Sequence, residues 1–248
     1  MINGINLLFP VLNEHLRLEN GIEKAHEYCE KNLLIPYKMT IIDNGSDDDT
    51  PEIAKKLEAK YKEVEYVRIE ERGVGIAYKT GIERNGYDIV GYMDIDLSTD
   101  ISYLNKMLEA FENDPELEYV NGSRFSKDSD TRGRKWYRKI TSMGLVILLK
   151  TVLKMKSSDA VCGFTFTRKE TAEKLVKECG PEKGWFYTIE FLLRAERAGM
   201  KIYDMPVEWT EDYNTTVKIW KTIKNYLVNI NGLHKTFKQE DKVNVKKN

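Results

Sequence analysis

The chain contains 248 residues, of which 41% are hydrophobic and 32% are charged, a composition typical of a globular protein in water. Its 39 basic and 40 acidic side chains nearly cancel, which excludes a uniformly basic nucleic-acid-binding protein. The three widely spaced cysteines, Cys29, Cys162 and Cys179, predict neither a disulfide framework nor a cysteine zinc site, and they favour a reducing compartment. We expect no signal peptide. The longest apolar run, Met143–Leu149, is far shorter than the about 20 residues that span a membrane.

Basic residues are concentrated in two segments. Residues 131–156 contain eight Lys or Arg and no acid, and residues 215–248 contain eight Lys against two acids. Together these segments carry +14, so that the rest of the chain carries −15. This asymmetry predicts a face that meets an anionic partner, such as a membrane surface or phosphates. The alternative is a pair of solvated helices with basic outer faces.

Strand-like and helix-like patterns alternate along the chain. The strand patterns cover Ile5–Val11, Met39–Asp43, Val64–Ile69, Asp88–Asp94, Tyr119–Gly122, Gly163–Thr167 and Lys201–Trp209. The helical patterns cover residues 18–29, a segment that begins at Thr50 as N-cap with Pro51 in its first turn, Ile101–Phe111, Lys169–Lys177 and Thr188–Ala198. This alternation predicts an α/β sandwich with a largely parallel sheet. Ligands of such sheets bind beyond the carboxyl ends of the strands.

The motif Asp94-Ile95-Asp96 ends one of these strands. Carboxylates at i and i+2 of an extended chain point to the same side, and their like charges raise each other's pKa unless a cation neutralises them. Carboxylate oxygens suit Mg²⁺ or Mn²⁺, whose coordination is often completed by water and substrate phosphates. The alternative is an acidic loop that arose by chance.

Two further loops follow predicted strands. In the segment 43–50, a turn and a helix cap account for Asp49 and Thr50 but not for Asp43, whose carboxylate could bind a nucleobase edge or a ribose hydroxyl. In the segment 72–79, glycines precede a predicted helix, and a helix N-terminus favours an anion.

Six motifs occur in order along the chain: PVLNE, IIDNGSDDDT, RGVGIAYKTGI, DIDLSTD, NGSR and CGFTFTRKE. Together they resemble the family 2 glycosyltransferases of GT-A (Rossmann-like) fold, and most nearly the polyprenyl- and dolichyl-phosphate glucose and mannose synthases. The resemblance covers about residues 4–230. It implies a three-layer α/β sandwich with a mostly parallel central sheet, and the stretch after Met205 looks more like the glucose-transferring branch.

The resemblance also implies functional residues. Those that hold the nucleotide sugar are Pro10, Leu12, Glu14, Asp43, Asp94, Ile95 and Lys218. Asp94 and Asp96 would hold Mg²⁺ or Mn²⁺, and the residues that act in catalysis or on phosphate are Asp96, Arg124 and Arg138, with Arg134 as a further candidate. Three positions depart from the family pattern: Asn44 replaces a common Asp, Leu12 a common aromatic and Ser98 a frequent Gln.

The acceptor decides whether a general base is needed. A lipid phosphate is already mostly ionised at pH 7, since its second pKa is near ~6, and it needs only cations to position it. A sugar hydroxyl needs a carboxylate base, for which Glu190 is the best candidate. The resemblance to family 2 implies inversion at the anomeric carbon.

The basic segment near residues 134–156 predicts an amphipathic helix. Trp136, Ile140, Met143 and Ile147 share one of its faces, and a basic helix of this kind can lie in a membrane interface. The alternatives are a core helix with a basic rim and a dimer interface.

We therefore expect one GT-A domain over residues 1–235 and a polar, frayed tail over residues 236–248. The expected protein is peripheral on the cytoplasmic face of the cell membrane and transfers glucose from UDP-glucose to a polyprenyl phosphate such as undecaprenyl phosphate. Two alternatives remain open: transfer to a saccharide hydroxyl in glycan assembly, and a non-catalytic subunit that binds nucleotide sugars. The sequence indicates no oligomeric state.

Overall fold

A computed structural model describes residues 2–133, 136–210 and 219–245 of the chain. The strands are β1 (Ile5–Val11), β2 (Tyr37–Asn44), β3 (Val64–Ile69), β4 (Ile89–Met93), β5 (Leu117–Ser123), β6 (Asp130–Arg132), β7 (Phe164–Arg168), β8 (Lys201–Pro206) and β9 (Glu208–Thr210). The helices are α1 (Leu18–Asn32), α2 (Thr50–Lys60), α3 (Val74–Glu83), α4 (Tyr103–Asn113), α5 (Trp136–Val152), α6 (Lys169–Glu178), α7 (Phe186–Arg197) and α8 (Ile219–Val245).

Seven strands form the central sheet in the order β3-β2-β1-β4-β7-β5-β8. Strand β7 runs antiparallel to both of its neighbours, whereas the other pairs are parallel. The predicted mostly parallel α/β sheet is therefore confirmed. The direction of β7 was not predicted, because the apolar pattern of a buried strand is the same in either direction.

Apolar clusters cover both faces of the sheet. Along β1, Leu7 and Phe9 belong to the cluster that includes α1, α2 and α4, while Leu8 belongs to the cluster that includes α3 and α5 to α8. Successive side chains of a strand point to opposite faces, so a strand that is buried on both faces reads as a continuous apolar run. This gives the three layers that the sequence predicted.

A second, two-stranded sheet pairs β6 with β9. It holds the loop that follows β4, because Thr99 forms an isolated bridge with Trp209 and Thr210 N donates to Ser98 O at 2.8 Å. The sequence predicted one strand over Lys201–Trp209, whereas Pro206 ends β8 and the chain resumes as β9 beside the loop.

The start of α2 differs from the prediction. Thr50 is the first helical residue and Asp49 is the N-cap. The Thr50 hydroxyl accepts a hydrogen bond from Glu14 N at 2.8 Å, so it joins the helix to the loop after β1 instead of capping the helix.

Helix α5 leaves an apolar face exposed. Val146 and Leu149 pack into the core, but Trp136, Ile140 and Ile147 are 73%, 61% and 56% exposed. Because these three side chains are exposed, this face of α5 is not part of the core, as the alternative of a core helix would require. Within the described ranges, no helix is both long enough and apolar enough to cross a membrane.

Helix α8 continues further than the sequence predicted. We expected a frayed tail from residue 236, but the helix runs to Val245. Phe237 is buried in the core, and the Arg197 guanidinium lies 4.2 Å from its ring centroid. Glu240 and Arg194 form an ion pair at 3.2 Å, so these contacts with α7 hold a segment whose composition is mostly polar.

Candidate active site

A cavity of about 800 Å³ opens at the carboxyl edge of the sheet. Pro10, Asn44, Asp94 and Arg124, which lie at or just beyond the ends of β1, β2, β4 and β5, line its polar end. The apolar end is lined by α5, α8 and the residues that lead into α7. This is the edge of the sheet at which the sequence predicted a ligand site.

Asp94 and Asp96 both line the cavity, as predicted from the motif. Burial and the nearby Asp96 carboxylate raise the pKa of Asp94 to about 7, although the Arg124 guanidinium acts in the opposite direction. Asp96 Oδ1 accepts a hydrogen bond from Ser98 N at 2.9 Å. Between the two carboxylates, Ile95 is buried against Gly21 of α1, where a side chain on the glycine would collide with the Ile95 carbonyl.

Gly163 explains why the motif CGFTF contains a glycine. A Cβ at this position would lie 1.9 Å from Asp94 Oδ2, so any larger residue would displace the carboxylate. The Gly163 carbonyl also accepts a hydrogen bond from Asp94 N at 3.2 Å. Strand β7 therefore supports the position of Asp94 from the neighbouring strand.

The carboxylate pair fits a divalent cation that is shared with a substrate. Two carboxylates at one cavity wall leave a concentration of negative charge, which adds to burial in raising the pKa of Asp94. Among the described residues, no group of three or more His, Cys, Asp or Glu side chains could hold a metal ion by itself. Mg²⁺ and Mn²⁺ are often bound in this manner, by one or two carboxylates with water and substrate phosphates.

The first loop of the cavity is held by its own polar contacts. Pro10, Leu12 and Glu14 all line the cavity, and their contact with a nucleotide stays a prediction. The Glu14 carboxylate accepts two hydrogen bonds from Arg17, at 2.6 and 2.8 Å. Asn13 N donates to Ser46 Oγ at 2.9 Å, which ties this loop to the loop after β2.

Asp43 lies behind the cavity wall. Its carboxylate is fully buried and accepts hydrogen bonds from Ser46 N at 2.8 Å, and from Tyr66 Oη and Arg68 Nη1, each at 2.9 Å. Asn44 lines the cavity instead. A direct contact between Asp43 and a base therefore stays a prediction, and the contacts seen here fix the turn.

Asn44 has a role that an aspartate could not fill. Its Nδ2 donates to Val11 O at 2.7 Å, and its Oδ1 accepts from Gly73 N at 3.0 Å. An aspartate has no donor for the Val11 carbonyl when it is ionised. The Asn44 side chain, which departs from the family pattern, thus joins the ends of β1 and β2 to the loop that contains Gly73.

The N-terminus of α3 is already occupied. Gly75 N and Ile76 N both donate to the Lys183 carbonyl, at 2.7 and 3.2 Å. The anion site that the glycine loop suggested is therefore closed by the segment before α7. The glycines permit this approach, because a Cβ on Gly73 would lie 2.1 Å from the same carbonyl.

Arg124 is held by an aspartate that sequence reasoning missed. Asp159 Oδ2 accepts from Arg124 Nε at 2.7 Å, and Oδ1 accepts from Nη2 at 3.0 Å. Although burial acts in the opposite direction, the guanidinium holds the pKa of Asp159 below its usual value. Such bidentate pairs fix the plane of the guanidinium. Asp159 follows the basic segment in SSDAVCG, where no periodic pattern marks it.

Of the remaining predicted cations, one lines the helical end of the cavity and two lie outside the described residues. Arg138, on α5, lines the cavity beside Thr141 and Ser142. Lys218 and Arg134 lie outside the described residues, so their roles stay predictions.

Glu190 does not lie at the cavity. It is buried on α7, where its Oε1 accepts hydrogen bonds from Arg194 Nε at 2.7 Å and from Gly180 N at 3.0 Å. Trp185 and Gly184, just before α7, line the cavity in its place. The ion pair with Arg194 accounts for a buried carboxylate at position 190, so no role as a general base is needed to explain it.

The architecture is that of the GT-A glycosyltransferases. Glucosyl-3-phosphoglycerate synthase from Mycobacterium tuberculosis, solved with uridine diphosphate, superposes with a TM-score of 0.69 over 93% of this chain and 80% of its own. The sequence identity is 17%, so this likeness supports the fold alone. It confirms the fold that the motifs predicted.

The chain belongs to the family "Glycosyl transferase family 2", whose profile matches residues 7–176. The matched region runs from β1 into α6 and contains the carboxylate pair, Arg124 and Asp159.

Three curated relatives match most of the chain. Glycosyltransferase AglD from Haloferax volcanii is 30% identical over 88% of the chain. A dolichyl-phosphate beta-glucosyltransferase from Dictyostelium discoideum is 29% identical over 84%, and a polyprenol monophosphomannose synthase from Mycolicibacterium smegmatis is 26% identical over 83%. The chain spans 35% of the length of AglD, 66% of the Dictyostelium protein and 77% of the mycobacterial one.

Proposed function

We propose that residues 1–235 form an inverting glycosyltransferase domain that moves a hexose from a nucleoside-diphosphate sugar to a polyprenyl phosphate. The distribution of charged side chains in the cavity is the observation that supports this proposal. Among the described lining residues, the carboxylates are Glu14, Asp94 and Asp96, all at the polar end. A hydroxyl acceptor needs a base, whereas a phosphate monoester already carries its negative charge near pH 7. The helical end offers Arg138 and apolar side chains, which suit a phosphate on a hydrocarbon chain.

The donor is UDP-glucose and the acceptor a polyprenyl phosphate such as undecaprenyl phosphate. The name of the Dictyostelium relative supports glucose and a lipid phosphate. The name of the mycobacterial relative supports a lipid phosphate of the same class but mannose as the sugar. GDP-mannose is therefore the competing donor.

Charge determines what the site has to do. Cleavage of the bond between sugar and diphosphate builds negative charge on the leaving group. Mg²⁺ or Mn²⁺ held by Asp94 and Asp96 would neutralise part of that charge. Arg124, oriented by Asp159, and Arg138 bind the acceptor phosphate and place its oxygen on the face of the sugar opposite the leaving group. Attack from that face inverts the anomeric carbon.

A lipid acceptor also accounts for the exposed apolar face of α5, since such an acceptor lies in a membrane. The side chains of Trp136, Ile140 and Ile147 are exposed on a helix that also carries Lys139 and Lys150. A basic amphipathic helix can lie in the interface of an anionic membrane. We place the protein on the cytoplasmic face of the cell membrane, peripherally bound.

A transfer assay with radiolabelled donors tests the proposal. UDP-glucose, UDP-GlcNAc, UDP-galactose and GDP-mannose are offered separately with undecaprenyl phosphate and Mn²⁺, with and without a chelator. We expect an acid-labile glycolipid from one donor, lost on chelation. Saccharide acceptors are tested in parallel with the Glu190→Gln variant.

The other outcomes contradict specific parts of the proposal. Transfer only to saccharides, lost in the Glu190→Gln variant, identifies a hydroxyl acceptor and a base. Tight UDP binding without transfer to any lipid or saccharide acceptor identifies a non-catalytic subunit. If the glycolipid forms equally well in the presence of chelator, the reaction does not depend on a metal.

A further inference from the structure

The cavity has a gap at one position of α5. Gly144 lines the cavity in the middle of this helix, and a Cβ placed on it would meet no atom within 4 Å. A glycine in a helix interior is about 1 kcal/mol less favourable than alanine. Neither a close contact nor an unusual φ accounts for the glycine here, so the fold itself gives no reason for it.

Helices α5 and α8 present matching polar and apolar positions to the cavity. Towards the start of α5, Arg138 and Ser142 line the cavity, and Thr222 lines it near the start of α8. Leu145 and Leu148 follow on α5, at the spacing of one helix face. The polar contacts therefore come first and apolar contacts follow, which is the order of groups in an amphiphile with an anionic head.

The surroundings of Gly144 are apolar and open. Leu227 of α8 also lines the cavity and is 51% exposed. On α5, Met143 and Ile147 flank the glycine and are 38% and 56% exposed. The cavity thus reaches from the carboxylate pair to an apolar outer surface at Gly144.

We propose that the hydrocarbon chain of the acceptor leaves the cavity over Gly144, between α5 and α8, and that the missing side chain determines which acceptors bind. This inference rests on the proposed function. The occupant is the chain attached to the phosphate at Arg124 and Arg138, because the cavity is continuous from these arginines to the gap.

Helix α8 offers a matched control. Gly232 also lies inside a helix and is exposed, and a Cβ placed on it would likewise meet no atom within 4 Å, but it does not line the cavity. Substitution of either glycine by alanine should raise the melting temperature, because both changes improve helix propensity. Only changes at Gly144 should alter acceptor use.

The experiment compares prenyl phosphates that share a head group but differ in chain length. The wild-type protein, Gly144→Leu and Gly232→Leu are assayed with isopentenyl, geranyl and farnesyl phosphate. We expect Gly144→Leu to raise KM for farnesyl phosphate by about tenfold, equivalent to roughly two methylene groups that are no longer buried. KM for isopentenyl phosphate and for the donor should stay at the wild-type value, and Gly232→Leu should match the wild type throughout.

A labelling experiment measures occupancy without turnover. Gly144→Cys and Gly232→Cys are made in a Cys179→Ser background, since Cys29 and Cys162 are buried. Farnesyl phosphate with UDP should slow the reaction of a maleimide at Gly144→Cys, whereas isopentenyl phosphate should not. The rate at Gly232→Cys should not change with either compound.

The outcomes separate this inference from the proposed function. If the wild-type protein transfers sugar to no prenyl phosphate, the proposed function fails, and the inference fails with it. If the wild type is active but Gly144→Leu loses activity equally at all chain lengths, or loses none, only the inference is overturned. Equal protection of both cysteine variants overturns it as well.

Discussion

The two ends of the cavity are built by different means. The polar end, to which we assign the donor and which we call the donor end, consists of loops after parallel strands that are held by polar contacts across neighbouring loops. Asn13 N donates to Ser46 Oγ, and Glu14 N donates to Thr50 Oγ1. Asn44 Nδ2 donates to the Val11 carbonyl. The helical end, to which we assign the acceptor and which we call the acceptor end, is formed by α5 and α8, which contribute both polar and apolar side chains.

This difference indicates what each end can recognise. Closely spaced hydrogen bonds fix a few polar groups, as a nucleotide and a diphosphate require. An apolar groove between helices discriminates by volume, and each methylene group contributes less than about 1 kcal/mol. We therefore expect substitutions at the donor end to have large effects on turnover, and substitutions at the acceptor end to have smaller effects that depend on the acceptor.

The largest effect is expected at the carboxylate pair. Asp96→Asn removes one charge that would hold the divalent cation, and turnover should fall on the order of a thousandfold. The measurement is kcat with saturating Mn²⁺, together with binding of UDP in the presence of metal. Asp128→Asn changes an exposed aspartate and should have no effect. If Asp96→Asn turns over nearly as fast as the wild type, Asp96 is not a metal ligand.

The next largest effect is expected at Arg124, which lines the polar end of the cavity. Arg124→Lys keeps the charge but cannot form the bidentate pair with Asp159, so the cation loses its fixed position. Turnover should fall on the order of a hundredfold, mainly in kcat/KM for the acceptor. Donor hydrolysis in the absence of acceptor should change much less. An equal loss in both reactions would place Arg124 on the leaving group instead of the acceptor.

Much of the donor end could be predicted from the sequence, because short motifs directly after strands specify it. Asp94 and Asp96 were singled out in this way, and the sheet topology places them between the carboxyl end of β1 and the start of β7. Asp159 was missed because its partner Arg124 is 35 residues away and nothing local distinguishes it from a surface aspartate. The burial of Asp43 could not be predicted from the sequence either, since two of its partners, Tyr66 and Arg68, come from β3.

The acceptor end was predicted only in outline. The apolar spacing in α5 gave the exposed face of this helix, but it could not show which face lines the cavity. The extent of α8 was underestimated because its last turns are mostly polar and are held by tertiary contacts with Arg194 and Arg197. Tertiary contacts of this kind have no signature in local composition.

The charge at the donor end should also limit stability. In the metal-free protein the pKa of Asp94 is raised to about 7, so the folded state holds a proton that the unfolded state releases near pH ~4. The wild type should therefore lose stability as the pH rises from about 4 through the folded-state pKa of about 7, and the loss is complete once the folded state has also released its proton. Asp94→Asn should be more stable in chelator at pH ~8, by on the order of 2 kcal/mol, since the cavity partly hydrates the side chain.

Thermal unfolding at pH ~5 and pH ~8 tests this expectation. The difference in melting temperature between Asp94→Asn and the wild type should be larger at the higher pH. Mn²⁺ should stabilise the wild type but not the variant, because a ligand that binds only the folded state raises its stability. A difference that does not change with pH would show that the carboxylates do not interact as described.

The smallest effect is expected outside the cavity, on the exposed face of α5. Ile140 is 61% exposed and does not line the cavity. Ile140→Ser should weaken binding to anionic vesicles by about tenfold, the loss of one isoleucine from an apolar interface. Turnover of a water-soluble prenyl phosphate in detergent-free buffer should not change, because the cavity is intact. Leu34→Ser is the matched control: Leu34 is fully exposed, but it precedes β2 and so lies at the opposite edge of the sheet. If both variants bind vesicles as the wild type does, the exposed face of α5 is not the membrane contact, and a dimer interface becomes the explanation to test by measuring the mass of Ile140→Ser in solution.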